Sequence, residues 1–75
     1  MSEAKLTLSQ LQEGTESVIK EITAQDEELV SFLFSLGCYS GEKITVIAKK
    51  KHSMTVSIKD ARYNMDMNLA DAIEV

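Results

Sequence analysis

The sequence contains no proline, one cysteine, one histidine and three glycines among 75 residues. Because Cys38 is the only cysteine, an intramolecular disulfide is excluded. A domain this small that has no disulfide is typical of a reducing compartment. His52 is the only histidine, and paired ligand spacings such as Cys-x-x-Cys are missing, so no metal site is predicted. A glycine-rich phosphate loop is also missing, and nucleotide hydrolysis is therefore not predicted.

Long apolar runs are lacking too, because no stretch approaches the ~18 residues of a membrane-spanning helix. Residues 1–5 contain no apolar run, which predicts a flexible tail and no signal peptide. The formal net charge is −4 at pH 7, so the chain lacks the excess of Lys and Arg that binds nucleic acid non-specifically. These features predict a cytoplasmic protein that neither inserts into a membrane nor binds nucleic acid.

The composition that is present is typical of one small globular domain. Hydrophobic residues make up 44% of the chain, which argues against disorder. The length is close to the lower limit for a core without disulfides or metal. We assign residues 1–5 to the tail and residues 6–75 to a single domain. A chain of this size has no cleft between domains, so any site is expected at a surface groove, a loop tip or a sheet edge.

An α-helix is predicted to begin at the acidic residues 26–28, since carboxylates in a first turn interact favourably with the unpaired amides there. Leucines recur at helical spacing within residues 29–36. Phe32 and Phe34 widen the apolar surface beyond one face. Two residues that are two positions apart cannot both lie at the centre of one stripe, so we expect a phenylalanine to remain for a partner.

Two glycines separate this helix from the following sheet. Gly37 stands where a helix usually ends, because glycine enters the left-handed conformation without steric cost. Gly41 marks a tight turn into the next strand, where Ile44 and Val46 begin a period-2 pattern. Both glycines are therefore predicted to be structural: the segment stops a helix, turns the chain and starts a β-meander.

Five short strands are predicted around the helix. They are residues 16–23, 43–51, 54–59, 62–68 and 73–75, with one helical turn at 69–72. In the first strand Lys20 falls in phase with apolar residues, which leaves a β-bulge and a two-sided strand as open alternatives. Five strands in so small a chain tend to close into a barrel, because closure removes exposed edges. The sequence thus predicts a mainly β, SH3-like barrel with one α-helix between strands 1 and 2.

Three segments of the chain resemble the FeoA family. Residues 6–14 resemble its opening Leu-x-x-Leu-x-x-Gly, residues 33–46 match its Leu-x-x-Leu-Gly core, and residues 67–75 resemble its closing segment. Three features depart from the family pattern. Ser40 stands where the family usually has proline, and the hairpin loop at 50–53 is shorter than its counterpart. Cys38 and Tyr39 replace a more usual Leu or Met and a variable residue.

The resemblance implies a non-enzymatic accessory protein of bacterial ferrous iron uptake. Such a protein docks on the cytoplasmic region of the FeoB membrane transporter and regulates it, and the partner handles the iron, so no cofactor is expected. We expect a monomer that its partner recruits to the inner face of the membrane. The alternative is a small barrel that binds or senses transition metals, related to the terminal domain of DtxR-like repressors.

Aromatic and basic residues are the candidates for a partner surface, because aromatic anchors with a charged rim are common in interfaces. They are Phe32, Phe34 and Tyr39 around the helix end and Lys49, Lys50 and Lys51 at a hairpin tip. A solvated tip remains the other interpretation of the lysines. No catalytic residue is predicted, since His52 has no partner to position it as a base and Cys38 is expected to be a buried apolar residue.

Overall fold

The computed structural model describes residues 6–75, so the predicted tail at 1–5 lies outside the described residues. The described chain forms six strands, two α-helices and a short 3₁₀ helix. In chain order these are the 3₁₀ helix Leu8–Gln10, β1 Glu16–Val18, β2 Glu21–Ile22, α1 Glu27–Ser35, β3 Lys43–Lys49, β4 Ser53–Ile58, β5 Ala61–Asp66, α2 Met67–Asp71 and β6 Ile73–Glu74. The predicted mainly β architecture is confirmed, and neither described helix is long and apolar enough to span a membrane.

The strands are arranged in a four-stranded sheet and a separate pair. The sheet has the order β1-β3-β4-β5, the pair is β2-β6, and all neighbours are antiparallel. The register of β3 shifts between Val46 and Ala48, and a shift of this kind bends and twists a strand. Thr7 forms a bridge to Glu74, so the two ends of the described chain meet beside β6.

The strand predicted at 16–23 is in fact two strands in different sheets. Between them lies Ile19, which is 1% exposed. Its amide donates to the Glu42 carbonyl at 2.9 Å, and its carbonyl accepts from the Gly41 amide at 2.8 Å. The next residue bonds to β6 instead. This change of partner explains the imperfect alternation and raises the strand count from five to six.

One hydrophobic core draws residues from both sheets and both helices. Met54, Val56 and Ile58 are almost fully buried along β4, as their period-2 spacing predicts. Among the described residues no polar or charged side chain is buried. The interior is therefore a packed apolar core, and the surface provides the groups that interact with other molecules.

The boundary between β5 and α2 differs from the prediction. The period-2 pattern of residues 62–68 suggested a strand through Asn68, but β5 ends at Asp66. Asp66 is the N-cap of α2, and its Oδ1 accepts a hydrogen bond from the Leu69 amide at 3.0 Å. This cap stabilises the first turn of the helix, so α2 begins at Met67, two residues before the predicted turn.

The glycine turn at the end of α1 forms as predicted. Gly37 has a φ of +95°, and its amide donates to the Phe34 carbonyl at 3.0 Å. The Cys38 amide donates to the Leu33 carbonyl at 3.1 Å. These two bonds constitute a Schellman motif, which satisfies carbonyls at a helix end.

The second glycine turn connects α1 to β3. Gly41 has a φ of +94°. The hydroxyl of Ser40 donates to the carbonyl of Lys20 at 2.7 Å, which ties the turn to the link between β1 and β2. A side-chain hydrogen bond thus holds the position where the resemblance leads one to expect proline.

Candidate functional site

The short helix α1 presents a buried stripe and two exposed flanks. Leu33 is fully buried, and Leu29 and Leu36 are partly buried against the core. Phe32 and Phe34 are 48% and 41% exposed. Since positions two apart are separated by about 160° around a helix, the two phenylalanines lie on opposite sides of the buried stripe.

Phe34 forms an exposed aromatic pair with Tyr39 at the end of α1. Their ring centroids are 5.4 Å apart and the ring planes are inclined by 20°. Tyr39 is 48% exposed. The glycine turn reverses the chain between the two residues and so brings the rings together.

Lys59 adds a positive charge to this aromatic pair. Its Nζ lies 5.8 Å from the centroid of the Tyr39 ring, within the range of cation–π attraction, and 3.4 Å from Oε2 of Glu42. Lys59 and Asp60 have φ values of 51° and 68°, which are typical of a type I′ hairpin turn. We call Phe34, Tyr39 and Lys59 the aromatic surface. The sequence does not predict Lys59 as a site residue, because no local pattern relates it to Tyr39.

A polar groove of about 550 Å³ lies beside the aromatic surface. Its charged lining residues are Glu16, Glu42, Lys43, Lys59 and Asp60. The groove therefore mixes both signs of charge and contains no large apolar side chain. It forms a polar margin next to the exposed rings, an arrangement common in protein interfaces.

A second groove, of about 490 Å³, lies on the Phe32 side of α1, where the start of α1 meets the start of α2. Its apolar residues are Leu29, Phe32 and Leu69, its carboxylates are Asp26, Glu28 and Asp66, and no basic residue lines it. We call it the acidic groove. Asp26 is the N-cap of α1, and its Oδ1 accepts from the Glu28 amide at 2.9 Å.

The predicted lysine cluster does not join the aromatic surface. Lys50 and Lys51 are exposed in the loop between β3 and β4, while Lys49 is half-buried at the end of β3. The amide of Lys49 donates to Oε2 of Glu13 at 2.7 Å. Lys43 stands at the other end of β3 and lines the groove beside the aromatic surface. Six residues of strand span about 20 Å, so the two groups lie at opposite ends of β3.

The lysine hairpin tip lies instead beside the start of α2. The carbonyl of His52, in the same loop, accepts from the Met67 amide at 3.0 Å. The acidic groove is lined by the residues on either side of Met67. Phe34 and Tyr39 therefore lie on one flank of α1, and Phe32 and the acidic groove lie on the other. The hairpin tip lies beside the start of α2.

Cys38 and His52 do not form a catalytic arrangement. Cys38 is fully buried, and this burial raises the pKa of its thiol from 9.0 to about 11, so the reactive thiolate is scarce at neutral pH. His52 is exposed in the hairpin loop. Among residues 6–75 no group of three or more His, Cys, Asp or Glu side chains is placed to hold a metal ion.

We expect the native protein to react with a thiol reagent at pH 8 much more slowly than the urea-unfolded chain, because Cys38 is inaccessible and protonated. Equal rates of labelling for the folded and the unfolded protein would contradict the burial of this thiol.

The stability of the fold is expected to depend on pH through the same residue. Since folding raises the pKa of Cys38, the contribution of its thiol to stability is present below pH 9.0 and is lost as the pH rises through about 11. Urea titrations of the wild type and Cys38→Ala at pH 8 and pH 11 measure this loss.

Comparison with known proteins identifies the family. The family model described as the FeoA domain matches residues 6–75, whereas no curated protein sequence matches the chain. A solved FeoA, described as an iron uptake regulatory protein, has a TM-score of 0.87 at 20% identity, and the alignment covers 96% of each chain. A zinc-complexed FeoA from Stenotrophomonas maltophilia, described as a prokaryotic SH3 domain protein, has a TM-score of 0.81 at 22% identity, covering 91% of this chain and 86% of that one.

A manganese-dependent transcriptional repressor has the same fold in part of its chain. Its TM-score is 0.88 at 19% identity, over all of this chain and 42% of the repressor. Identities this low show the shared fold and nothing finer. This shared fold confirms the predicted SH3-like barrel. The family model covers nearly the whole sequence, and this chain therefore belongs to the FeoA domain family.

Proposed function

We propose that this chain is a non-enzymatic, cytoplasmic accessory protein of bacterial ferrous iron uptake. It docks on the cytoplasmic region of a FeoB-type membrane transporter and regulates it through contact. The transporter carries the iron, and the chain needs no cofactor for this role. Membership in the FeoA family supports the proposal, as does the fold shared with a protein described as an iron uptake regulator.

The exposure of the aromatic residues is the observation that carries this proposal. The chain has two phenylalanines, two tyrosines and no tryptophan. Phe32, Phe34 and Tyr39 are all among its exposed large hydrophobic residues, whereas the fully buried core is aliphatic, sulfur-containing or alanine. Aromatic side chains bury large areas and are enriched at the centres of interfaces. Tyr63 packs partly buried against the core. A domain that leaves the other three aromatic residues exposed is suited to binding another protein.

The aromatic surface is the docking site that we propose for the transporter. Stacking holds the rings of Phe34 and Tyr39 against each other, and Lys59 lies over Tyr39 while paired with Glu42. Side chains already held in this way lose little conformational freedom when a partner covers them. The exposed rings supply apolar area, and the adjoining charges favour one orientation of the partner.

Phe34→Asp is expected to reduce recovery of FeoB by at least about fivefold when the tagged chain is incubated with detergent-solubilised transporter. The charge would be buried against an apolar partner surface, which is unfavourable. Ile47→Asp is the matched control, because Ile47 is 38% exposed on β3, and it should recover FeoB as the wild type does. Circular dichroism must first show that both variants are folded.

The outcomes test the assignment of the aromatic surface separately from the docking function. Equal recovery by Phe34→Asp and wild type would overturn the assignment of the aromatic surface. Failure of the folded wild type to retain any FeoB would contradict the docking function itself. Loss of binding in both aspartate variants would mean that the contact extends across β3.

A further inference from the structure

We propose that the acidic groove binds a basic, apolar segment of a partner protein. This goes beyond the proposed docking of the transporter, because the groove lies on the opposite flank of α1 from Phe34 and Tyr39. The inference rests on two properties that occur together only here among the grooves described above. The groove has an apolar floor, and all the charges on its rim are negative.

Phe32 is the exposed apolar residue of the floor. It is 48% exposed, while Leu29 and Leu69 pack partly buried against the core. The next residue, Leu33, is fully buried, so α1 is fixed and holds Phe32 at the edge of the groove. The volume of about 490 Å³ falls within the ~300–1,000 Å³ typical of ligand pockets. An apolar side chain of a partner that enters the groove covers the exposed part of this ring.

The carboxylates of the rim are held in place by the helices that they cap. Asp26 and Asp66 each use Oδ1 to accept a backbone amide at the start of a helix. The Oδ2 atoms accept no hydrogen bond from the described residues. A Lys or Arg that meets Oδ2 therefore pairs with a side chain that is already ordered, which lowers the entropic cost of the contact.

Charge complementarity identifies the kind of partner. Three carboxylates and no basic side chain line the groove, so cationic segments are attracted and anionic surfaces are repelled. The polar groove beside the aromatic surface lacks this property, because Lys43 and Lys59 line it together with carboxylates. Segments that combine Lys or Arg with apolar residues are frequent at the cytoplasmic ends of membrane helices, so a membrane protein offers suitable partners.

The test uses a short fluorescein-labelled peptide in which lysine and leucine alternate. A peptide in which glutamate and leucine alternate in the same pattern is the control with the opposite charge. Fluorescence anisotropy with the full chain should show saturable binding of the lysine peptide that weakens with salt, and none of the glutamate peptide. Phe32→Ser should weaken binding by at least about fivefold. The double variant Asp26→Asn/Asp66→Asn should do the same while keeping both helices capped, because asparagine caps as well as aspartate.

A matched control separates the groove from general attraction to an acidic protein. Glu16→Gln/Asp60→Asn removes two negative charges from the polar groove and should leave the affinity within about twofold of wild type. Phe34→Ser should also bind normally. Equal binding by wild type and the double variant Asp26→Asn/Asp66→Asn, or equal losses in both double variants, would overturn the proposal. So would binding of both peptides alike, or of neither. None of these outcomes depends on whether FeoB is retained by the aromatic surface.

Discussion

Replacing Leu33 with alanine is expected to lower the free energy of unfolding by about 2–5 kcal/mol. Leu33 is the one fully buried side chain of α1, so its truncation leaves a cavity where the helix meets the core. Small domains have a total stability of only about 5–15 kcal/mol. Each kcal/mol shifts the melting temperature of a domain of this size by about 4–8 °C. Urea and thermal unfolding followed by circular dichroism measure the effect.

Phe34→Ala is the matched control, because it removes a larger side chain from the same helix. Phe34 is 41% exposed and stacks on Tyr39, so its loss should cost no more than about 1 kcal/mol. Equal destabilisation by the two substitutions would contradict the orientation of α1. The contrast between them separates residues that hold the helix from residues that it displays.

Replacing Gly37 with valine is expected to cost about 1–3 kcal/mol of stability. A Cβ at this position would lie 3.6 Å from Cγ2 of Ile58, an ordinary contact, so steric overlap with the core is not the reason. The reason is the φ of +95°, which side chains rarely adopt and β-branched ones least of all. Gly37→Ala should therefore be less harmful than Gly37→Val.

Ser31→Val serves as the control for adding a valine to this segment. Ser31 is exposed within α1, and the change should cost less than about 1 kcal/mol. If Gly37→Val unfolds at the same urea concentration as the wild type, the left-handed turn is wrong. Because the turn also brings Phe34 and Tyr39 together, its disruption should weaken transporter binding as well as stability, whereas Phe34→Asp should affect mainly binding.

Local patterns predicted the parts of the fold that depend on neighbouring residues. The helix, its end at Gly37 and the alternating burial of β4 follow from spacing and from the conformational freedom of glycine. The split of the first strand could not be found in this way. Ile19 bonds to the segment before β3, and the next residue bonds to β6 at the end of the chain. No local sequence pattern predicts a change of hydrogen-bond partner between segments so far apart in the chain.

The candidate site was predictable in its residue types and not in its arrangement. Exposed aromatic residues followed from two phenylalanines that could not share one stripe. The predicted lysines are separated from Tyr39 by the length of β3, and Lys59, from a different hairpin, takes the place beside that ring. The period-2 pattern continues past Asp66 and predicts a strand through Asn68, although an aspartate before a helical turn is a recognised capping signal.

Whether α1 displays a docking surface for the transporter is tested most directly by amide resonances of the isotope-labelled chain. Detergent-solubilised FeoB is added in steps, and the loss of each resonance through broadening is recorded. We predict that Phe34, Tyr39 and Lys59 lose intensity first, while Lys50 and Lys51, in the hairpin loop at the other end of β3, keep their signals. Uniform retention of every signal at saturating FeoB, or broadening confined to this hairpin loop, would contradict the aromatic surface as the docking site.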